Sequence, residues 1–169
     1  MPASLPILYQ AVDSNAQSRI LVTVRGPMLF SPADSVLSLA RQETDPECRR
    51  ALLSYACLIA PRCANVLFAV AEFAHSAGLR AHCLRKGIQI SSAIWKEFGE
   101  RYAVEHWTHL GTRPLLRALF DLASLYHEVG GHAEAAIEYL QALLQLDPLD
   151  HLGAQAILEE IRSDLSLAP

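Results

Sequence analysis

From residue 31 onward, apolar side chains recur every three or four positions, the spacing that places them on one face of an α-helix. Ser31-Pro32 and Asp45-Pro46 are typical helix starts, because a serine or aspartate side chain caps the first turn and proline fits within it. Glycine or proline follows most of the apolar segments, as is typical of helix ends. The pattern predicts an all-α fold of about seven helices, over residues 31–42, 46–59, 64–77, 79–98, 114–129, 133–146 and 151–165.

Residues 1–30 lack this helical spacing. The segment 18–25 is rich in β-branched residues and closes on Gly26-Pro27, which predicts a short strand or an extended arm. A strand has unpaired backbone groups, so it needs a partner in the same domain or on another chain; an irregular leader against the first helices is the alternative. We therefore divide the chain into an N-terminal extended arm, residues 1–30, and a helical domain, residues 31–169.

The second half of the chain has the spacing of a tetratricopeptide (TPR) hairpin, a pair of antiparallel helices that repeats about every 34 residues. Small residues let the two helices approach, a tyrosine fills the space beside them, a glycine permits the turn and a proline ends the second helix. The residues at these positions are Leu122, Ala123, Tyr126, Gly130, Ala136 and Pro148. A weaker copy, in which Gly87 replaces the usual aromatic residue, has Ala64, Leu67, Val70, Ala71, Ala74, Gly78, Cys83 and Ile90.

Longer segments extend this pattern. They are LIAPRCAN at 58–65, FGE at 98–100, HW at 106–107, TRPLLRA at 112–118 and LDPLDHLGA at 146–154. With these segments, residues 48–158 resemble the TPR proteins akin to the suppressor of tumorigenicity seven group and its bacterial relatives. The resemblance implies a helical scaffold that binds proteins and has no catalytic residues to carry over. The helix over 151–165 is expected to be a terminal cap.

In a TPR array, the first helix of each hairpin lies on the concave side, where partners bind. Helical spacing places eight residues on two such helices, as candidates for binding a partner protein. They are Asn65, Phe68, Glu72 and His75 on one helix and Arg117, Phe120, Ser124 and His127 on the other. Aromatic anchors among polar groups are typical of such a surface. The alternative is that Phe68 and Phe120 are core residues.

The charge distribution excludes some partners. The net charge of −4 argues against nucleic acid, since binding to phosphates needs clustered positive charge. Residues 1–99 carry +3 and residues 100–169 carry −7, an asymmetry that orients a partner, drives head-to-tail self-association or reflects a solvated acidic face. No apolar stretch approaches the length of a membrane span and no basic leader opens the chain, so we expect no membrane partner and a cytoplasmic protein. Twelve arginines against two lysines suggest a GC-rich bacterial source.

Residues that could carry chemistry are few. Four cysteines without CxxC spacing predict reduced thiols. Two histidine pairs lack the further ligands of a metal site, namely His106 with His109 and His75 with His82. Cys83 beside His82, or Glu72 on an apolar helix, would be the best catalytic candidates, and neither has a third partner. Common nucleophile, dinucleotide and phosphate-binding motifs are missing, so we expect no enzyme, no metal and no cofactor.

These patterns together predict a protein-protein interaction adaptor or accessory subunit that binds its partner through a TPR-like helical groove. The alternative, from another class, is a self-associating structural subunit, a homo-oligomer whose apolar surface is covered by copies of itself. A small metal-binding or enzymatic protein is the third and least favoured interpretation.

Overall fold

The structure of the chain is a computed structural model that describes residues 7–10, 19–23, 26–102, 107 and 111–167. Within these residues, seven α-helices follow three short strands. The helices are α1 (Asp34–Gln42), α2 (Pro46–Ile59), α3 (Ala64–Glu72), α4 (Ala77–Tyr102), α5 (Arg113–Val129), α6 (Ala133–Leu146) and α7 (Ala154–Leu167). None of them is both long and apolar enough to cross a membrane. The predicted all-α class and the number of helices are confirmed for the helical part of the chain.

The three strands precede the helices and form one antiparallel sheet in the order β1-β2-β3. They are β1 (Ile7–Gln10), β2 (Arg19–Thr23) and β3 (Gly26–Phe30). Ile7 pairs with Val22 between the first two strands, and Arg19 pairs with Phe30 between the last two. Of the predicted extended segment 18–25, the described residues are those of β2, whose backbone partners belong to the same chain.

Consecutive helices form three antiparallel hairpins because the connections between them are short. Residues 43–45 join α1 to α2, residues 73–76 join α3 to α4, and residues 130–132 join α5 to α6. α1, α3, α5 and α7 also contact one another in that order. The odd-numbered helices therefore form one layer, against which α2, α4 and α6 pack.

Two clusters of buried apolar residues hold the hairpins together. The smaller cluster joins α1, α2 and α3 around Leu37, and the larger one joins α3 through α7 around Trp95, the largest fully buried side chain among the described residues. Val70 packs against both clusters, so α3 links the two parts of the core. Ala123 and Ala136 have no exposed surface, as the hairpin spacing predicts.

The predicted boundary between the third and fourth helices is wrong. α3 ends at Glu72 instead of residue 77, and Gly78 lies in the first turn of α4 instead of ending α3. A competing start signal explains the difference. The Ser76 hydroxyl accepts a hydrogen bond from the Leu79 amide at 3.2 Å, which caps the first turn of α4.

Other helix ends also differ from the prediction, and α1 begins at Asp34, three residues later than predicted. α4 continues through Gly99 to Tyr102, past its predicted end at residue 98. α7 begins at Ala154, three residues later than predicted. The Asp150 carboxylate accepts a hydrogen bond from the Ala154 amide at 2.6 Å, so it caps the helix there.

Candidate functional site

A groove runs along the layer of odd-numbered helices. It consists of two clefts that share Arg41, Phe68 and Pro114 in their walls. The first cleft, between α3 and α5, has a volume of about 610 Å³, and we call it the arginine cleft. Its walls contain Arg41, Phe68, Ala71, Glu72, Arg80, Leu84, Arg113, Pro114, Arg117, Ala118 and Asp121. The second cleft, between α1 and α3, has a volume of about 510 Å³ and adds Asp34, Leu37, Ser38, Gln42 and Asn65.

Four of the eight predicted partner-binding residues line this groove. Phe68 belongs to both clefts, Glu72 and Arg117 line the arginine cleft, and Asn65 lines the second cleft. The three residues on α3 follow one another at spacings of three and four, so they share one face of that helix. The structure therefore brings the predicted faces of α3 and α5 together only in part.

The other four predicted residues lie outside the groove walls. His75 follows the end of α3 and lines a separate pocket of about 530 Å³ next to α2. Phe120 and His127 follow Arg113 by two and four turns along the same edge of α5, and neither is part of the cleft walls. Phe120 packs, half-buried, against the larger core cluster, and His127 Nε2 lies 3.7 Å from Glu160 Oε1 on α7. The Ser124 hydroxyl is buried with no hydrogen-bond partner in the described part of the chain.

Two ion pairs lie in the arginine cleft. Arg41 Nε lies 3.1 Å from Glu72 Oε2, which links α1 to α3. Arg117 Nε lies 3.8 Å from Asp121 Oδ1, one turn further along α5. All four side chains are partly exposed, so water weakens their attraction and neither pair adds much to the stability of the fold.

The other two arginines of the cleft, Arg80 and Arg113, have no carboxylate partner among the described residues. Arg113 Nε donates a hydrogen bond to the Trp107 carbonyl at 3.2 Å, and its guanidinium carbon lies 5.2 Å from the centre of the Trp107 ring. Trp107 stacks in turn on His151, with ring centres 4.5 Å apart, and His151 Nδ1 lies 2.7 Å from the buried Asp147 carboxylate. These contacts hold Arg113 at the start of α5, and within the described part of the chain none of them is with a carboxylate.

Burial raises the pKa of Asp121 above its ordinary value of 3.8, because the half-buried carboxylate loses hydration. The neighbouring Arg117 and Arg80 lower this pKa, and Glu72 raises it, but the loss of hydration dominates. Asp121 is therefore partly shielded from water, whereas Arg41, Glu72 and Arg117 are more exposed.

The pH dependence of stability tests the raised pKa of Asp121. The folded protein holds the proton of the Asp121 carboxyl group more tightly than the unfolded chain does. The free energy of unfolding therefore falls as pH rises from below 3.8 through the acid range. Asp121→Asn has no such proton. We therefore expect the wild type to lose stability relative to Asp121→Asn between about pH 3.5 and pH 7 in urea denaturation. If the free energies of unfolding of the wild type and Asp121→Asn differ by the same amount at both pH values, the pKa of this carboxylate is not raised by burial.

Phe68 is positioned by a glycine on the neighbouring helix. A Cβ atom added to Gly87 of α4 would lie 2.7 Å from Phe68 Cδ1 and closer still to Cε1. The Phe68 ring therefore rests directly on the α4 backbone. Gly87 stands where TPR hairpins usually have an aromatic residue, and the ring of Phe68 fills that space from the other helix.

A metal site or a catalytic thiol, the alternatives to a binding surface, finds little support in the part of the chain that the structure describes. No group of three or more His, Cys, Asp or Glu side chains there is arranged to hold a metal ion, while His106 and His109 lie outside it. Burial raises the pKa of the Cys83 thiol, and nearby Cys57 adds to the effect, which disfavours the reactive thiolate. Glu72, the other catalytic candidate, is paired with an arginine.

Three arginines of the cleft were missed by reasoning from the sequence. Arg41 was missed because the repeat spacing identifies only two hairpins, whereas α1 and α2 form a third that ends before Pro61. Arg80 lies on a second helix of a hairpin, which is not expected on the concave side. Arg113 could have been found, because it precedes Arg117 by four residues and shares its helix face.

No protein-family model matches the chain, and no curated protein matches its sequence. The resemblance to TPR proteins of the suppressor of tumorigenicity seven group therefore stays a prediction.

Proposed function

We propose that the protein is an interaction adaptor or accessory subunit that binds a partner protein in the groove formed by α1, α3 and α5. The observation that carries this proposal is the continuity of the two clefts at Phe68, whose walls come from four helices, α1, α3, α4 and α5. An aromatic side chain at the centre with charged groups around it is the usual composition of a protein-binding surface.

Two further features support this proposal. The three stacked hairpins have their first helices in one layer, as TPR arrays do, so the arrangement favours a TPR-like interpretation of the fold. All four cysteines are free thiols, with Cys63 and Cys83 buried, which fits the reducing conditions of the cytoplasm. An adaptor that works in the cytoplasm is consistent with both features.

Filling the groove with a bulky side chain is expected to abolish partner binding without unfolding the protein. Asn65→Trp places an indole ring in the second cleft, whereas Gln89→Trp adds the same ring to the exposed side of α4, outside the groove. Affinity capture from the native host's lysate should recover a stoichiometric partner with the wild type and with Gln89→Trp, but not with Asn65→Trp. Circular dichroism confirms that all three proteins are equally helical. Equal capture by all three would reject the groove as the binding site.

A self-associating structural subunit is the second candidate, because the first hairpin exposes large apolar side chains. Leu58 is 77% exposed, and Leu39 and Tyr55 are also more than half exposed. Apolar groups on adjoining helices are typical of an interface between subunits. Sedimentation velocity on the purified protein separates the two candidates: a defined homo-oligomer that persists in Asn65→Trp favours the structural subunit, and a monomer favours the adaptor.

A further inference from the structure

The arginine cleft carries more positive than negative charge. Four guanidinium groups line it with only two carboxylates, and Arg80 and Arg113 are in no ion pair within 4 Å among the described residues, although Arg80 lies near enough to Asp121 to lower its pKa. The whole chain has the opposite balance, with a net charge of −4. Within the described residues, an excess of positive charge therefore lies at one concave site of an acidic protein.

The shape and lining of the cleft favour a ligand that carries carboxylates. Concave walls that exclude water focus an electric field and attract an oppositely charged ligand. The planar guanidinium group of arginine also matches the two oxygens of a carboxylate, so a carboxylate can accept two parallel hydrogen bonds. Phe68, Leu84 and Pro114 add apolar surface between the charged groups, against which the aliphatic part of a bound chain can pack.

We infer that the arginine cleft binds an acidic segment of the partner protein, whose Asp or Glu side chains pair with Arg80 and Arg113. The inference rests on the proposed function and adds the chemistry of the partner. Glu72 and Asp121 require neutral residues of the segment beside them, because juxtaposed like charges at an interface repel. A nucleic acid fits this arrangement less well, since its regularly spaced phosphates would also face these two carboxylates.

A random dodecapeptide library displayed on phage tests the inference without assuming a partner. Selection on the wild-type protein should enrich peptides with a net negative charge. The enriched peptides should not bind Glu72→Trp, in which an indole ring fills the cleft and a negative charge is removed. Because this substitution makes the cleft more positive, loss of binding identifies the site and cannot result from repulsion.

The strongest peptide, synthesised with a fluorescein label, is then titrated by fluorescence anisotropy. Arg80→Gln/Arg113→Gln should weaken its binding at least about tenfold, because two charge-assisted hydrogen-bonding groups are lost. Arg85→Gln/Arg162→Gln makes the same change in net charge at exposed positions outside the cleft, and should weaken binding less than about threefold.

Two further variants keep the test valid if the loss of Arg113 destabilises α5. Arg80→Gln alone removes no ion pair of the described structure and should still weaken binding about threefold or more. Asp121→Asn removes a repelling carboxylate and should tighten binding about twofold or more. Equal thermal midpoints for each variant and the wild type show that the changes in affinity are not caused by unfolding.

The other outcomes overturn the inference in distinguishable ways. Neutral or basic peptides that Glu72→Trp excludes would reject an acidic partner and leave the proposed function standing. Failure to enrich any peptide, or binding that neither Glu72→Trp nor Asn65→Trp reduces, would reject the groove and therefore both proposals. If a twelve-nucleotide oligothymidylate displaces the labelled peptide at a lower concentration than the unlabelled peptide does, the cleft binds nucleic acid instead of an acidic segment. Self-association in sedimentation velocity that Arg80→Gln/Arg113→Gln removes would identify a second copy of the chain as the occupant.

Discussion

Gly87→Ala is expected to lower the free energy of unfolding by about 1 kcal/mol, although alanine is the better helix former. In an open helix position, alanine is more favourable than glycine by about 1 kcal/mol. At position 87, however, the new Cβ atom would lie 2.7 Å from Cδ1 of the Phe68 ring. Overpacking of this kind costs about 1–3 kcal/mol, so the clash outweighs the gain in helix propensity.

The sign of this effect should reverse when the ring is removed. In the Phe68→Ala background, Gly87→Ala is expected to raise the free energy of unfolding by about 1 kcal/mol, which gives a coupling energy of about 2 kcal/mol in a double-mutant cycle. Urea denaturation of the four proteins measures it. Gly78→Ala is the matched control, because Gly78 also lies in α4 and an added Cβ would have no neighbour within 4 Å. If Gly87→Ala stabilises the wild type as Gly78→Ala does, the ring does not rest on Gly87.

This pair of residues connects the helix packing to the candidate site. The Phe68 ring belongs to both clefts of the groove, and its position depends on a glycine in the helix behind it. A side chain at position 87 would force the ring to turn, and the open space beside it is the groove. The centre of the proposed binding surface is therefore set by a residue that does not line it.

Helix boundaries that depend on local chemistry could be predicted from the sequence. α2 and α6 begin and end at the predicted residues. At the start of α2, the Asp45 side chain accepts a hydrogen bond from the Cys48 amide at 2.8 Å, and Pro46 occupies the first helical position. The end of α3 could not be predicted, because residues 64–77 are too uniformly apolar for the spacing to show where the helix stops. The cap at Ser76, a single side chain, decides it.

About half of the groove lining could be predicted for a similar reason. The spacing along α3 fixes which of its residues share a face, so Asn65, Phe68 and Glu72 were identified together. On α5, Phe120 packs against the larger core cluster, a tertiary contact that no local pattern specifies. Arg41 could be assigned to the groove only by knowing that α1 packs against α3, which is a contact between two hairpins. The residues that share one face of α3 were therefore predictable, whereas the contacts that bring Arg41 to the groove and hold Phe120 against the core were not.

The crossing of α5 and α6 allows a test of a contact that the sequence did predict. Ala136→Leu is expected to lower the free energy of unfolding by about 3 kcal/mol, near the upper end of the usual cost of overpacking. Ala136 on α6 and Ala123 on α5 both have no exposed surface, so small side chains allow the two helices to approach. The three additional carbon atoms of leucine have no space unless the helices separate. Urea denaturation measures the loss.

Ala156→Leu makes the same substitution at an exposed position of α7 and should change the free energy of unfolding by less than about 0.5 kcal/mol. A large loss confined to Ala136→Leu would show that the hairpin of α5 and α6 is closely packed and therefore rigid. That rigidity matters for the groove, because the backbone of α5 holds Arg113 and Arg117 in the wall of the arginine cleft. If the two substitutions had equally small effects, the helices would be loosely packed, and a cleft that selects a partner by the placement of its arginines would have no fixed wall on that side.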